Sequence, residues 1–160
     1  MAQKIVAGNW KMNLSFSEAE KLIADLLQKL ANIELHQENI KALEPIRREK
    51  IKEGLLKVLH ENVGKENYDA NRFEQELIYY IEKIDISEER VRLTNHCAYF
   101  NSILLEKDPS KGKKLSFILQ EMGREINTTG SKANDIEIQK AVILMKDELE
   151  KAKEQILNVL

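Results

Sequence analysis

The chain has 160 residues, with 25 lysines and arginines against 27 aspartates and glutamates. The resulting formal charge of −2 excludes a polybasic tail or an arginine-rich arm as the means of holding a nucleic acid and leaves only a local basic face. Hydrophobic residues at 42% supply one core, while two prolines, six glycines and 6% aromatics are too few for a turn-rich sandwich or barrel and point to helices. The single cysteine, Cys97, excludes an internal disulfide and a cysteine-based zinc site. No stretch approaches a membrane span, and the first residues lack a signal-peptide pattern, so the expected location is the cytoplasm.

In chain order, Lys4 to Gly8 (KIVAG) is the one segment that reads as a strand, and everything after it reads helical. A lone strand has no hydrogen-bond neighbours, so residues 1 to about 14 are expected to be poorly anchored. Ser15 and Ser17 each precede a glutamate, Glu18 and Glu20, by three residues. That is the spacing of a capping box, and it starts a helix whose apolar positions Ala19, Leu22, Ile23, Leu26, Leu27 and Leu30 run towards Asn32. A second helix is expected from Pro45, tolerated in a first turn, through Ile51, Leu55, Val58 and Leu59 to a stop at Gly64. Phe73, Leu77, Tyr80, Ile81 and Ile84 form the next stripe, and Asp85 with Glu88 predicts a capping box. The helix that follows carries Ile86, Leu93, Cys97, Phe100 and Leu104 to the turn at Asp108 to Gly112. Leu115, Ile118, Leu119, Met122 and Ile126 mark another helix, closed by NTTGS at Asn127 to Ser131. From about Asn134, the residues Ile138, Val142, Met145, Leu149, Ala152, Ile156 and Val159 alternate by four and three, a heptad seam. It fits either an intramolecular helix pair or a coiled-coil oligomer interface. The expected fold is all-α: helical hairpins or a bundle with a long C-terminal heptad helix, behind a short N-terminal extended segment.

Two polar flanks border apolar stripes, where a side chain is partly desolvated yet reaches a cleft. Glu89, Arg92 and His96 stand at i, i+3 and i+7, and Glu121 and Glu125 at i and i+4. If their helices face each other, the carboxylates and the imidazole make a divalent-metal site of the magnesium or manganese type, able to activate water beside a phosphodiester. The alternative is that these residues and Arg124 form ion pairs on solvated faces. Lys111, Gly112, Lys113 and Lys114, with Ser131 and Lys132, offer a phosphate site or a solubilising loop. Lys41, Arg47, Arg48, Lys50, Lys52 and Lys57 outnumber Glu44, Glu49 and Glu53 on the helix around Pro45, either an RNA-facing surface or a charged exterior. Gly-rich phosphate loops, nucleophile elbows and HExxH motifs do not occur.

Two resemblances add to this. The opening KIVAGNWKMN, Lys4 to Asn13, closely resembles the first strand and substrate loop of triosephosphate isomerase, which implies substrate-contacting roles for Asn9 and Lys11. The likeness reaches at most Leu30, and that family's base and electrophile motifs have no counterpart here, so isomerase activity is not expected. The rest resembles the C-terminal part of the YicC family of metal-dependent endoribonucleases. It does so through NRFEQE (Asn71 to Glu76), DISEERVRLTNH (Asp85 to His96) and GKKLSFILQEMGREINTTGSK (Gly112 to Lys132).

That resemblance implies an all-helical domain in a ring-like homo-oligomer that cuts single-stranded RNA with manganese or magnesium, with no DNA or membrane partner. Its matched polar positions are Arg72, Gln75, Glu76, Asp85, Glu89, Arg92, His96, Gln120, Glu121, Arg124, Glu125, Asn127, Thr128, Ser131 and Lys132. Among them Glu89, His96, Glu121 and Glu125 are the expected catalytic and metal-holding set, and Arg72, Arg92, Arg124, Asn127, Ser131 and Lys132 the expected RNA-binding set. The chain therefore reads as a mosaic, with an isomerase-like segment over residues 1–31 in place of a YicC N-terminal half and a YicC-like helical domain over 32–160. It is a ribonuclease fragment or fusion, a non-catalytic helical scaffold, or an inactive triosephosphate isomerase fragment.

Overall fold

The structure, a computed structural model, describes residues 15–64, 67–106 and 111–157. These form five helices: α1 Phe16–Val63, α2 Ala70–Lys83, α3 Ser87–Leu104, α4 Lys111–Lys132 and α5 Ile136–Leu157. Among the described residues there is no strand, and none of their helices is long and apolar enough to cross a membrane. The strand expected at Lys4 to Gly8, the anchoring of residues 1–14, and Asn9 and Lys11 lie outside the described residues.

Helix α1 starts on the expected capping box. The Ser15 hydroxyl accepts from the Glu18 amide at 3.4 Å while the Ser15 amide donates to Glu18 Oε2 at 2.7 Å. Sequence alone predicts a stop near Asn32 and a fresh start at Pro45. Instead α1 continues for 48 residues to Val63, about 70 Å at 1.5 Å per residue, and crosses positions 31 and 32 without a break. Its buried seam explains why. Ala19, Ile23, Leu26, Leu30, Ile33, Gln37, Ile40, Glu44 and Arg47 are all buried at steps of four and three, so polar residues carry the seam on where the apolar pattern thins. Pro45 is exposed inside the helix and forfeits one backbone hydrogen bond. Glu44 and Arg47, anchored on either side of it, hold the helix course. The stop at Gly64 is as expected, with φ 85°, a left-handed value that glycine adopts freely.

The core is made by the first thirty or so residues of α1 with α3, α4 and α5. Helix α5 lies antiparallel to α1: Asn32 Nδ2 donates to Glu148 Oε2 at 3.3 Å near the middle, and Arg47 reaches the Lys132 carbonyl, just before α5, at 3.0 Å. The heptad seam Ile138, Val142, Met145, Leu149, Ala152 and Ile156 is thereby buried within this one chain. Helix α4 does not close at NTTGS but runs to Lys132. The hydroxyls of Thr128, Thr129 and Ser131 donate back to the carbonyls of Arg124, Glu125 and Thr128 at 2.9–3.0 Å, which satisfies them inside the helix. Gly130 allows α5 to come close: a Cβ there would stand 3.0 Å from Val142 Cγ1. Cys97 is buried, and burial, then the nearby Glu34 charge, push its thiol up to about 12, so it acts as a packing residue.

Helix α2 is different. Leu77 is its one buried residue, while Ile78, Tyr79 and Tyr80 are exposed. It folds back beside the far end of α1, joined by ring contacts of Tyr68 with His60 and Phe73 and by the Arg48–Asp85 ion pair at 3.2 Å. No Glu88 box forms at the start of α3, where Ile86 is the N-cap; Asp85 instead accepts from the Ser87 amide and hydroxyl at 3.0 and 2.6 Å.

Candidate functional site

Helices α3 and α4 form an antiparallel pair whose register is set by charged contacts: Glu89 with Lys132, Arg92 with Glu125 and Glu106 with Lys114. At its centre the Arg92 guanidinium lies among three carboxylates. Nη1 is 3.2 Å from Glu88, Nη2 3.7 Å from Glu89 and Nε 3.3 Å from Glu125 across the helix pair. Lys132 Nζ donates to Glu89 Oε1 at 2.8 Å. The other Glu89 oxygen, Oε2, is buried without a hydrogen-bond partner, a costly state for a carboxylate unless a ligand or water meets it. One turn before Glu125, Glu121 pairs with Arg124 at 3.0 Å.

The vertical order of these charges matters. The carboxylates of Glu89 and Glu125 are 3% and 13% exposed, whereas Arg92 and Arg124 are 46% and 65% exposed. Glu88 apart, anions lie below and guanidinium groups above, so a phosphate approaching from solvent meets cations first.

Of the residues singled out from sequence, the fold brings together Glu89, Arg92, Glu125 and Lys132, with Glu121 and Arg124 beside them. His96 is half-buried one turn beyond Arg92 and takes no part in these contacts. Asn127 and Ser131 are exposed on α4, and Arg72 is exposed on α2, away from the cluster. Among the described residues no group of three or more His, Cys, Asp or Glu side chains is arranged to hold a metal ion. The charges of Glu89 and Glu125 are already met by Arg92 and Lys132, so in this arrangement the donor set does not fit a divalent cation.

Two basic groups read as surface features have structural posts instead. Lys111, expected in a phosphate-binding or solubilising loop, is buried and donates to the Leu104 and Glu106 carbonyls at 3.2 and 3.0 Å, satisfying the end of α3. Arg47, expected on a basic exterior, is 3% exposed. It donates to Glu44 Oε1 at 2.8 Å, the Ile84 carbonyl at 3.2 Å and the Lys132 carbonyl at 3.0 Å. It thus ties α1 to the α2–α3 turn and to the residue whose side chain holds Glu89. The sequence signal for this role is the heptad spacing from Ala19, which lands on Glu44 and Arg47.

An all-helical domain with a carboxylate–guanidinium cluster on an antiparallel helix pair is the class of protein defined so far. Comparison with known proteins gives the family. Residues 19–160 match the family model described as endoribonuclease YicC-like, C-terminal, and the chain belongs to that family. It is 37% identical over 143 residues to a protein of Clostridioides difficile (strain 630) described as "Probable endoribonuclease YicC", a match that covers 89% of this chain and 48% of that protein. A protein of Haemophilus influenzae (strain ATCC 51907 / DSM 11121 / KW20 / Rd) with the same description is 33% identical over 142 residues, again 89% and 48%. The chain spans about half the length of these curated relatives. Residues 19–30, the far reach of the isomerase resemblance, fall inside the family match, and none of these comparisons supports that resemblance.

Proposed function

We propose that this chain contributes the RNA-cutting site of a YicC-type endoribonuclease, acting on single-stranded RNA in the cytoplasm as part of a homo-oligomer. The observation that carries the reading, beyond family membership, is the Arg92 bridge between Glu89 and Glu125 with its guanidinium outward. In this reading Arg92 and Arg124 grip the phosphate, and Lys132 holds Glu89 in place while neutralising the site. Glu125 and Glu121 orient the two guanidinium groups. His96, one turn from Arg92, is the group placed to pass a proton. Manganese or magnesium is proposed for the ribonuclease as a whole, and the roles of Arg92, Arg124 and Lys132 do not depend on it.

The test is cleavage of an end-labelled single-stranded RNA by the full chain with manganese, with chelator, and by Glu125→Ala checked for helicity. Metal-dependent cutting that the variant lacks is expected, and full activity in Glu125→Ala rejects the assignment. A folded chain that cuts nothing favours a second reading, an assembly domain. The apolar side chains that α2 and the far end of α1 leave exposed, Ile78, Tyr79 and Val58, support that reading. Light scattering decides it: a monomer at all concentrations argues against assembly.

A further inference from the structure

We infer that Tyr99 and Phe117 form a base-stacking platform for an unpaired stretch of RNA, set beside the phosphate-binding guanidinium groups. The inference rests on the ribonuclease reading and gives it a substrate-recognition surface. On α3, Glu88, Arg92 and Tyr99 stand at i, i+4 and i+11, one stripe turned away from the buried Leu93, Cys97 and Phe100. On α4, Phe117, Glu121, Arg124 and Thr128 stand at i, i+4, i+7 and i+11, turned away from the buried Leu115, Ile118 and Met122. The Arg92–Glu125 pair holds the two helices together beside these stripes. The pairs Glu89–Lys132, Arg92–Glu125 and Glu106–Lys114 set residues 118–122 level with Tyr99. Phe117 therefore lies within about a turn of that height.

Both rings are bare, 53% and 61% exposed, and among the described residues neither stacks on another ring. Their distance from the Arg92–Glu125 pair along the helices is about 10 Å, the span of a few nucleotides. Single exposed aromatics are ordinary. Two within about a turn of each other, on the face that turns Arg92 and Arg124 to solvent above their carboxylates, have the two components of a single-strand site: cations for the backbone and π-faces for the bases. Duplex RNA keeps its base faces stacked internally and does not offer them to such rings, so the occupant is an unpaired segment.

The test is binding of a short oligoadenylate containing a fluorescent adenine analogue that stacking quenches, alongside an abasic oligonucleotide with the same number of phosphates. The 160-residue chain is used as wild type, Tyr99→Ala, Phe117→Ala and Tyr99→Phe, without metal so that no cutting intervenes. Quenching with the wild type and with Tyr99→Phe is expected, together with a loss of affinity of about tenfold or more in each alanine variant. The abasic strand should bind all four proteins equally. Wild-type binding that the alanine variants leave intact overturns the platform and leaves the ribonuclease reading standing. Equal loss for the normal and abasic strands also overturns it, because the rings would then act on the fold or the backbone. A change in oligomeric state with RNA affinity preserved overturns it in favour of a contact between copies. A folded wild type that binds no RNA overturns the platform and the ribonuclease reading together.

Discussion

The first two-thirds of α1 and its last third are one continuous helix in two different settings. From Ala19 to Arg47 every seam position is buried, against α5 along its length and α3 beside it. Beyond Arg47 the same helix, with α2 folded back on it, exposes Val58 and Val63 and leaves Leu55, Leu56 and Leu59 half-covered. The difference lies in partners, not in propensity. Helices of this length gain most of their stability from packing an amphipathic face, and the distal arm has little to pack against within the chain. The candidate site stands on the well-packed side, and the joint between the two regions is the Arg47 clip.

The largest expected effect therefore comes from breaking that clip. Arg47→Met leaves the buried Glu44 with only the longer 3.8 Å contact to Arg48 and strips a donor from the Ile84 and Lys132 carbonyls. Removing one member of a buried pair costs about 3–5 kcal/mol, which chemical denaturation would measure. Arg47→Lys keeps the charge but not the planar fork that serves three acceptors, so most of the loss should remain. Adding Glu44→Gln to Arg47→Met should recover part of it, and no recovery would mean that the ion pair is not the cause.

Next in size is a matched pair of truncations. Leu119→Ala, at a fully buried position of α4, should cost about 2–5 kcal/mol, whereas Ile78→Ala on the exposed face of α2 should stay within about 0.5 kcal/mol. Equal costs would show that the arm is covered in solution and would erase the contrast between the regions.

The same contrast governs what could be read from the sequence. Helix positions follow from apolar spacing, so α2 to α5 are legible from stripes such as Leu115, Ile118, Leu119 and Met122. Beyond Asn32 the apolar spacing of α1 thins because the seam is filled partly by Gln37, Glu44 and Arg47, whose burial depends on acceptors that only the folded chain supplies. NTTGS looked like a helix end because its hydroxyls are usual in turns, yet here they bond within the helix. At the site, face arithmetic selects Glu89, Arg92, His96, Glu121 and Glu125, of which His96 stays outside the cluster. It could not show that Arg92 and Lys132 would lie between the carboxylates, since that depends on the register of α3 against α4.

The smallest effect expected is at Asp85, on the turn where arm meets core. Burial by itself raises its carboxyl pKa, but the Ser87 hydroxyl and amide and the Arg48 guanidinium outweigh it and hold the group below the ordinary carboxylate range. A pKa lower in the folded than in the unfolded chain means that the ionised form favours folding. The contribution is present in full above the unfolded value and is lost as pH falls through the folded one. Asp85→Asn retains an oxygen to accept from the Ser87 amide at the start of α3 and loses the charge that Arg48 faces. At neutral pH the variant should be less stable by under about 1 kcal/mol, the scale of a partly exposed ion pair, and high salt should shrink the gap. Urea melts taken from neutral pH down into the acid range should converge for the two proteins. A gap that persists in acid would mean that the Asp85 charge contributes nothing and that the joint is held by Arg47 and the backbone of the turn.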